Sequence, residues 1–286
     1  MNNKTDSYRQ ILKANSIFGG VQLFSIIITI VRSKVVAILL GPLGMGVSGL
    51  LLNTTGMIQS LTNFGLSTSA VKDIAQANES KNNARIAIVV QVLKRLVYFT
   101  GLTGMLLTFI LAPILSDLTF GNDEYSIAFR WLSVTLLFNQ LASGQNVLLQ
   151  GTRKLAYLAK SNMLGSFLGL FISLPLYFFY GIDGIVPAII GTSLLTFCIS
   201  FYFASKINFE RPRITFSETK KEGKAMLKLG FVLSLSGLMT SIAAYLVSIY
   251  ISSKGGVEEV GLYNAGFTIV GTYVGLVFTA MITDYY

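Results

Sequence analysis

The stretch 21–56 reads VQLFSIIITIVRSKVVAILLGPLGMGVSGLLLNTTG, and it decides the fold. Two apolar runs flank Gly41-Pro42-Leu43-Gly44, and together they exceed the ~18 consecutive residues that mark a membrane-spanning helix. A turn this short joins two helices that run side by side in opposite directions. The run is too long for a cleaved leader, and no small-residue cleavage site separates it from the second helix. The bilayer is therefore the solvent.

Working outward, further apolar runs give eight candidate helices at about 14–40, 44–70, 96–116, 126–149, 156–179, 184–204, 229–252 and 260–282, each near the ~20 residues a span requires. The composition agrees. Of 286 residues, 52% are hydrophobic and only 12% charged, against about a quarter charged in a soluble domain. The fold class read from this pattern is an all-α polytopic membrane protein. The absence of His and the single Cys exclude a disulfide framework and the usual zinc spacings, so no metal and no cofactor is expected. No Gly-x4-Gly-Lys-Ser/Thr phosphate loop is present, and the chain is read as a non-enzyme.

The net charge of +9 points to topology and not to nucleic acid. With the N-terminus inside, 18 of the 22 basic residues fall on the cytoplasmic side. They sit at the N-terminus, at 72–95, at 153–160 and at 206–228. The opposite loops carry Asp117, Asp123, Glu124, Asp183, Glu258 and Glu259. A multi-pass inner (plasma) membrane location with a cytoplasmic N-terminus follows.

The long polar stretch 205–228 divides the chain into a six-helix lobe, 1–204, and the start of a second lobe, 229–286. A shift of 215 residues lays Gly41 on Gly256 and Gly46 on Gly261, a weak internal repeat. Repeats of this kind in transporters place the substrate between them. On this reading the second lobe holds two of six helices, and 286 residues is about two-thirds of a transporter.

Four basic residues escape the topology rule: Arg32, Lys34, Arg130 and Lys254. A cation inside a span is costly and is by default a functional candidate. Arg32 completes a polar stripe with Gln22, Ser25 and Thr29, spaced three, four and three apart on one helical face. Such a stripe lines a cavity, unless Arg32 snorkels to the headgroups. Lys34 lies about 200° around the helix from Arg32, so both reach one cavity only if the helix is kinked. Arg130 is expected to snorkel or to pair with an outer-loop acid. Comparable seams run along helix two (Asn53, Gly56, Ser60, Asn63, Ser67), helix four (Thr135, Asn139, Ser143, Asn146, Gln150) and helix five (Asn162, Ser166, Gly169, Ser173). Amides and hydroxyls suit a hydrated path for a sugar, although membrane helices also pack through such residues. Pro175 and Pro187 predict kinks. None of the first seven spans carries a mid-membrane carboxylate, which speaks against cation coupling. A buried guanidinium selects an anion, and phosphate is the group it recognises best.

The run from Arg32 to Gly46 resembles the first hairpin of O-antigen and related polysaccharide-repeat translocases of the multidrug/oligosaccharidyl-lipid/polysaccharide exporter superfamily. Asn63-Phe64-Gly65-Leu66-Ser67 with Lys72-Asp73-Ile74-Ala75, and Leu149-Gln150-Gly151-Thr152-Arg153, are also similar to that family. The resemblance implies a MATE-like fold with two six-helix lobes facing each other in a V, of which the first lobe and two helices of the second are present. It places the motif's basic residue on Lys34. It also implies flipping of a polyisoprenyl-pyrophosphate-linked oligosaccharide between leaflets, with polysaccharide polymerase machinery as a further partner. Expected substrate contacts are Arg32, Lys34, Gln22, Ser25, Thr29, Asn53, Asn63, Asn139, Asn146 and Gln150. The alternatives are a multidrug exporter of the same fold and a non-transporting membrane scaffold.

Overall fold

The computed structural model describes the backbone of residues 2–79, 83–207 and 215–274, and side chains over 27–79, 84–207, 215 and 217–271. These residues are almost entirely helical, and no strand occurs among them. The order is α1 (Asn2–Thr62), α2 (Leu66–Glu79), α3 (Asn83–Phe120), α4 (Ser126–Gly151), α5 (Leu155–Tyr180), a 3-10 turn (Gly181–Gly184), α6 (Ile185–Ser205), α7 (Phe216–Gly255) and α8 (Val257–Thr268) with a π-helical continuation, Ile269–Val274.

Gly41 breaks α1 into two arms. Its φ of 63° and ψ of −172° are open to glycine and strained for any L side chain. Arg32, on the first arm, shares a cavity with Thr192, while Val47, on the second, shares a groove with Gly191. A collinear helix would put Arg32 and Val47 about 22 Å apart, so the chain folds back at Gly41. The same device closes α7, where Gly256 has φ 88° and ψ 175° before α8 begins.

Among the described residues, four stretches are long and apolar enough to cross a membrane: Ile27–Thr62, Ala84–Phe120, Leu155–Ser205 and Ser217–Gly255. The first and third contain the breaks at Gly41 and Gly181–Gly184. The helix α4, with its row of amides, is not among them. Large apolar side chains are correspondingly bare: Ile110, Ile127, Phe171, Phe178, Phe179 and Tyr250 are all exposed, as lipid-facing residues must be.

The helices extend beyond the expected spans at the basic end. The second expected helix is interrupted at Asn63–Gly65, α3 begins thirteen residues before position 96, and α7 begins at Phe216, inside the expected 205–228 connection. The reason is amphipathicity. In the first part of α7, Thr219, Gly223, Met226 and Gly230 are buried at 4-3-4 spacing while Lys220, Lys221 and Lys224 are exposed. A hydropathy window averages such a face away. Pro175 lies within a continuous α5, and Pro187 falls in the first turn of α6, where a missing N–H costs nothing.

Packing forms two apolar layers. One, at the basic end, joins Leu66, Ala70, Ile74, Val90, Leu93, Leu149, Phe203 and Met226. The other, toward the acidic end, joins Leu40, Val47, Leu51, Leu115, Phe129, Leu132, Tyr177 and Ile185. The middle turns of α4, α5 and α6 lie between them, and those turns carry the polar residues.

Candidate functional site

Polar cavities among the described residues occupy this middle zone, and three of them bear on function. The first, about 260 Å³, is lined by Arg32, Asn139, Asn162, Gly165, Ser166, Gly169, Thr192, Ser193 and Thr196. The second, also about 260 Å³, takes Ser67, Asn139, Ser143, Asn146, Gln150 and Thr196. Asn139 and Thr196 belong to both, so the two are continuous. The third, about 420 Å³, lies between the second arm of α1 and α7, with Asn53, Gln59, Ser60, Asn63, Thr240 and Ser241 in its wall. No carboxylate lines any of the three among the described residues. Glycines on α5 make room: beyond Gly165 and Gly169 the nearest atoms belong to Thr196 and Thr192, at van der Waals distance from where a Cβ would stand.

The helices deliver these groups by spacing. Asn139, Ser143, Asn146 and Gln150 recur every three to four residues and share one face of α4. Their neighbour Gln140 faces the other way, buried, with its Nε2 donating to Thr100 Oγ1 at 2.9 Å. Thr135, the first member of the expected seam, is also buried and donates to the Leu132 carbonyl. Asn146 Oδ1 is buried without a donor among the described residues. In a polar cavity it is an acceptor offered to whatever enters.

The expected contacts thus fall into groups. Arg32, half-buried, meets Asn139 in the first cavity; Asn146 and Gln150 complete the second. No ion pair to Arg32 is found among the described residues. Lys34 is exposed and lines none of the three cavities, and Thr29 is exposed as well. The side chains of Gln22 and Ser25 lie outside the described residues. Asn53 donates from Nδ2 to Ser248 Oγ at 2.8 Å, and Ser60 and Ser241 hydroxyls lie 3.0 Å apart, so this seam packs α1 onto α7. Asn63 Oδ1 accepts the Gly65 N–H at 2.7 Å and holds the turn before α2. Arg130 is exposed and makes no ion pair among the described residues.

Two sets of polar residues were not singled out in the sequence. Thr192, Ser193 and Thr196 put a polar face on α6, and each threonine hydroxyl also donates to a carbonyl one turn back. On α7, Ser241, Tyr245, Ser248 and Ser252 all meet partners on α1 or α3. Their 4-3-4 spacing is a legible signal, masked by the apolar residues between them.

A larger depression lies elsewhere. A groove of about 820 Å³ at the acidic end is walled by Val47, Leu51, Ile127, Trp131, Ile185 and Ile190, with Glu124 and Asp183 among its lining residues. Beside it Tyr125 stacks on Phe120 at 3.9 Å between ring centroids. Burial, then the charges of Glu124 and Asp183, push the Tyr125 hydroxyl above its ordinary pKa. The groove contains none of the amides, and its carboxylates repel anions. The amide-lined interior with Arg32 is therefore the candidate site.

The basic end is tied by charge. Arg85 makes two hydrogen bonds to the Glu222 carboxylate, at 2.9 and 2.8 Å, joining α3 to α7. Arg95 donates to Thr219 Oγ1 on the same helix, and Arg153 pairs with Glu79 between the α4–α5 turn and α2. Lys206 lies 4.3 Å from the Tyr202 ring centroid, an end-of-helix cation over an aromatic face.

Comparison with known proteins agrees with this architecture. A family model described as polysaccharide biosynthesis protein matches residues 11–283. Among solved structures, the chain is similar to one titled as the inward-facing conformation of a multidrug resistance MATE family transporter of the MOP superfamily. The TM-score is 0.65 at 18% identity, over 86% of this chain and 59% of that one. No curated protein matches. That likeness fixes the fold as MATE-like, and the chain spans 59% of the length of that transporter. The family match covers nearly the whole chain, and this integral membrane protein belongs to the polysaccharide biosynthesis protein family.

Proposed function

We propose that the protein is a flippase that carries a polyisoprenyl-pyrophosphate-linked oligosaccharide, an O-antigen or similar repeat unit, from the inner to the outer leaflet of the plasma membrane. The observation that carries the reading is Arg32 in a cavity of neutral amides and hydroxyls with no carboxylate among the described lining residues. An uncompensated guanidinium recruits an anion, and phosphate fits its planar fork. The adjoining Asn139, Asn146 and Gln150 exchange hydrogen bonds with sugar hydroxyls. The polyprenyl tail stays in lipid, and no covalent step is needed.

In this mechanism the basic end faces the cytoplasm and the acidic end the outside. Residues 1–204 act as one lobe, 205–228 as the connection and 229–286 as the start of the second, and rocking between lobes alternates access. Lys34, exposed on α1, serves as the approach charge for the pyrophosphate. Polysaccharide polymerase machinery takes the cargo on the far side. A cation-coupled multidrug exporter would place a carboxylate in the cavity wall, and none stands there among the described residues.

The test replaces Arg32 and Lys34 separately with Ala in a strain whose surface polysaccharide depends on this protein. Loss of polymer in Arg32→Ala and a smaller loss in Lys34→Ala are expected. Normal polymer in both, at wild-type protein levels, overturns the cationic-cavity mechanism.

A further inference from the structure

The groove at the acidic end is built unlike the polar interior. Val47 and Leu51 on the second arm of α1 and Ile185 on α6 are its buried floor, while Ile127 and Trp131 on α4 stand exposed along its wall. Exposed apolar side chains on a membrane helix face acyl chains, so the groove opens to lipid along α4. From Ile185 to Gly191 its α6 wall runs about 9 Å at 1.5 Å per residue. With about 820 Å³ of space, it has the size and the mostly apolar lining of a ligand site. It takes the glycerol end of a lipid and the first part of a chain. Trp131, the single Trp of the sequence, stands near the helix start, where amphipathic rings meet the headgroup level.

Charge selects among lipids. Glu124 and Asp183 both line the groove and are both exposed. Both also act on the Tyr125 hydroxyl beside it, so the two carboxylates face one small region. Neither makes an ion pair among the described residues. Arg130, exposed and likewise without an ion pair among them, stands about 60° around α4 from Ile127. It therefore flanks the groove, with a stem long enough to reach the headgroups. Carboxylates at the mouth with a guanidinium at the flank complement a zwitterion, amine on the acids and phosphate on the arginine. A primary ammonium donates hydrogen bonds to both carboxylates. A choline head has no N–H to donate, and an anionic glycerol head is repelled.

We propose that the acidic-end groove binds a phospholipid with a primary-amine, net-neutral headgroup, its ammonium on Glu124 and Asp183, its phosphate on Arg130 and a chain along Ile127, Trp131 and Ile190. The site is distinct from the Arg32 cavity but shares a wall with it: Gly191 lines the groove, and Thr192 and Ser193 line the cavity. The inference goes beyond the proposed function and depends on no cargo.

The experiment is native mass spectrometry of the purified full chain, stripped of lipid in detergent and supplied with equimolar phosphatidylethanolamine, phosphatidylcholine and phosphatidylglycerol of identical acyl chains. An exposed carboxylate–ammonium pair contributes a factor of up to about five, so phosphatidylethanolamine is expected to be retained roughly 3- to 20-fold over phosphatidylcholine. Phosphatidylglycerol should be retained least. Glu124→Gln with Asp183→Asn is expected to bring phosphatidylethanolamine and phosphatidylcholine level. Arg130→Ala should weaken retention of both and keep their ratio, and Val186→Trp, which fills the groove, should remove the preference. Equal retention of the three lipids by the unaltered chain, a preference for phosphatidylglycerol, or a preference that survives Glu124→Gln/Asp183→Asn overturns the proposal. Displacement of phosphatidylethanolamine by equimolar polyprenyl phosphate also overturns it, because the groove would then belong to an isoprenoid chain. The three charged positions are exposed, so their variants spare the packing; should Val186→Trp express poorly, the carboxylate pair decides. Retention needs no transport, so a failed surface-polymer test leaves this site standing, and failure here leaves the flippase reading standing.

Discussion

Replacing Arg32 by Leu is expected to move stability and transport in opposite directions. Arg32 lies nine residues before Gly41, about 13 Å into the membrane at 1.5 Å per residue. A guanidinium at the centre of a span costs ~2.5–3.5 kcal/mol on insertion scales. The polar cavity around Arg32 lowers that, so about 1–2 kcal/mol is a reasonable gain for Leu. At ~2–4 °C per kcal/mol in a chain of this size, the melting temperature in detergent should rise by several degrees. Transport should fall. A charge-assisted hydrogen bond to phosphate contributes about 1.5–3 kcal/mol, so cargo affinity drops roughly 10- to 150-fold. The assay pairs thermal unfolding of the purified variant with surface polymer in cells at matched protein level. A lower melting temperature with normal polymer would refute the reasoning, because Arg32 would then be a packing residue.

Three further outcomes follow from the same geometry. Gly65→Ala should be far more damaging than Gly41→Ala: both have φ near 63°, costing about 1–2 kcal/mol, but only at Gly65 does the methyl strike the Gly230 backbone; folded yield by size exclusion checks this. Burial raises the Asp73 carboxyl above its usual pKa, outweighing nearby Arg85 and Lys72, so its ionised form is disfavoured in the fold. Stability from this group is present below the unfolded value of 3.8 and is lost as pH rises through the raised folded value. Asp73→Asn should therefore raise the melting temperature at pH 7 and leave it nearly unchanged well below pH 4. For the buried Gln140–Thr100 bond, a cycle of Thr100→Val and Gln140→Leu should show coupling of about 0.6 kcal/mol, up to ~1.7, read from unfolding; strict additivity would contradict it.

Much of the fold was legible because a bilayer imposes simple demands. The turn at Gly41 falls between the two expected helices, and α4, α5 and α6 came within two residues of their ends, since each is one apolar run between turn residues. The basic-end extensions were not legible: Lys220, Lys221 and Lys224 lower the hydropathy of α7 while the buried face at Thr219, Met226 and Gly230 carries the packing. In the site, Asn139, Asn146 and Gln150 share a face by spacing alone, and the structure brings Arg32 to Asn139. The structure places Lys34 on the exposed side, as the ~200° offset on an unkinked arm requires. What spacing could not show is partnership. Asn53 and Asn63 look like the amides of α4, yet one bonds Ser248 across the α1–α7 contact and the other bonds its own turn. Only tertiary contact separates a packing amide from a lining one.

The most direct measurement is flipping in proteoliposomes containing the purified protein and a polyprenyl-pyrophosphate-linked oligosaccharide, read by glycosidase access to the sugar. The account predicts faster equilibration across the bilayer than in protein-free vesicles, and loss of that acceleration in Arg32→Ala. Equal rates with and without protein, or full acceleration in Arg32→Ala, would contradict it.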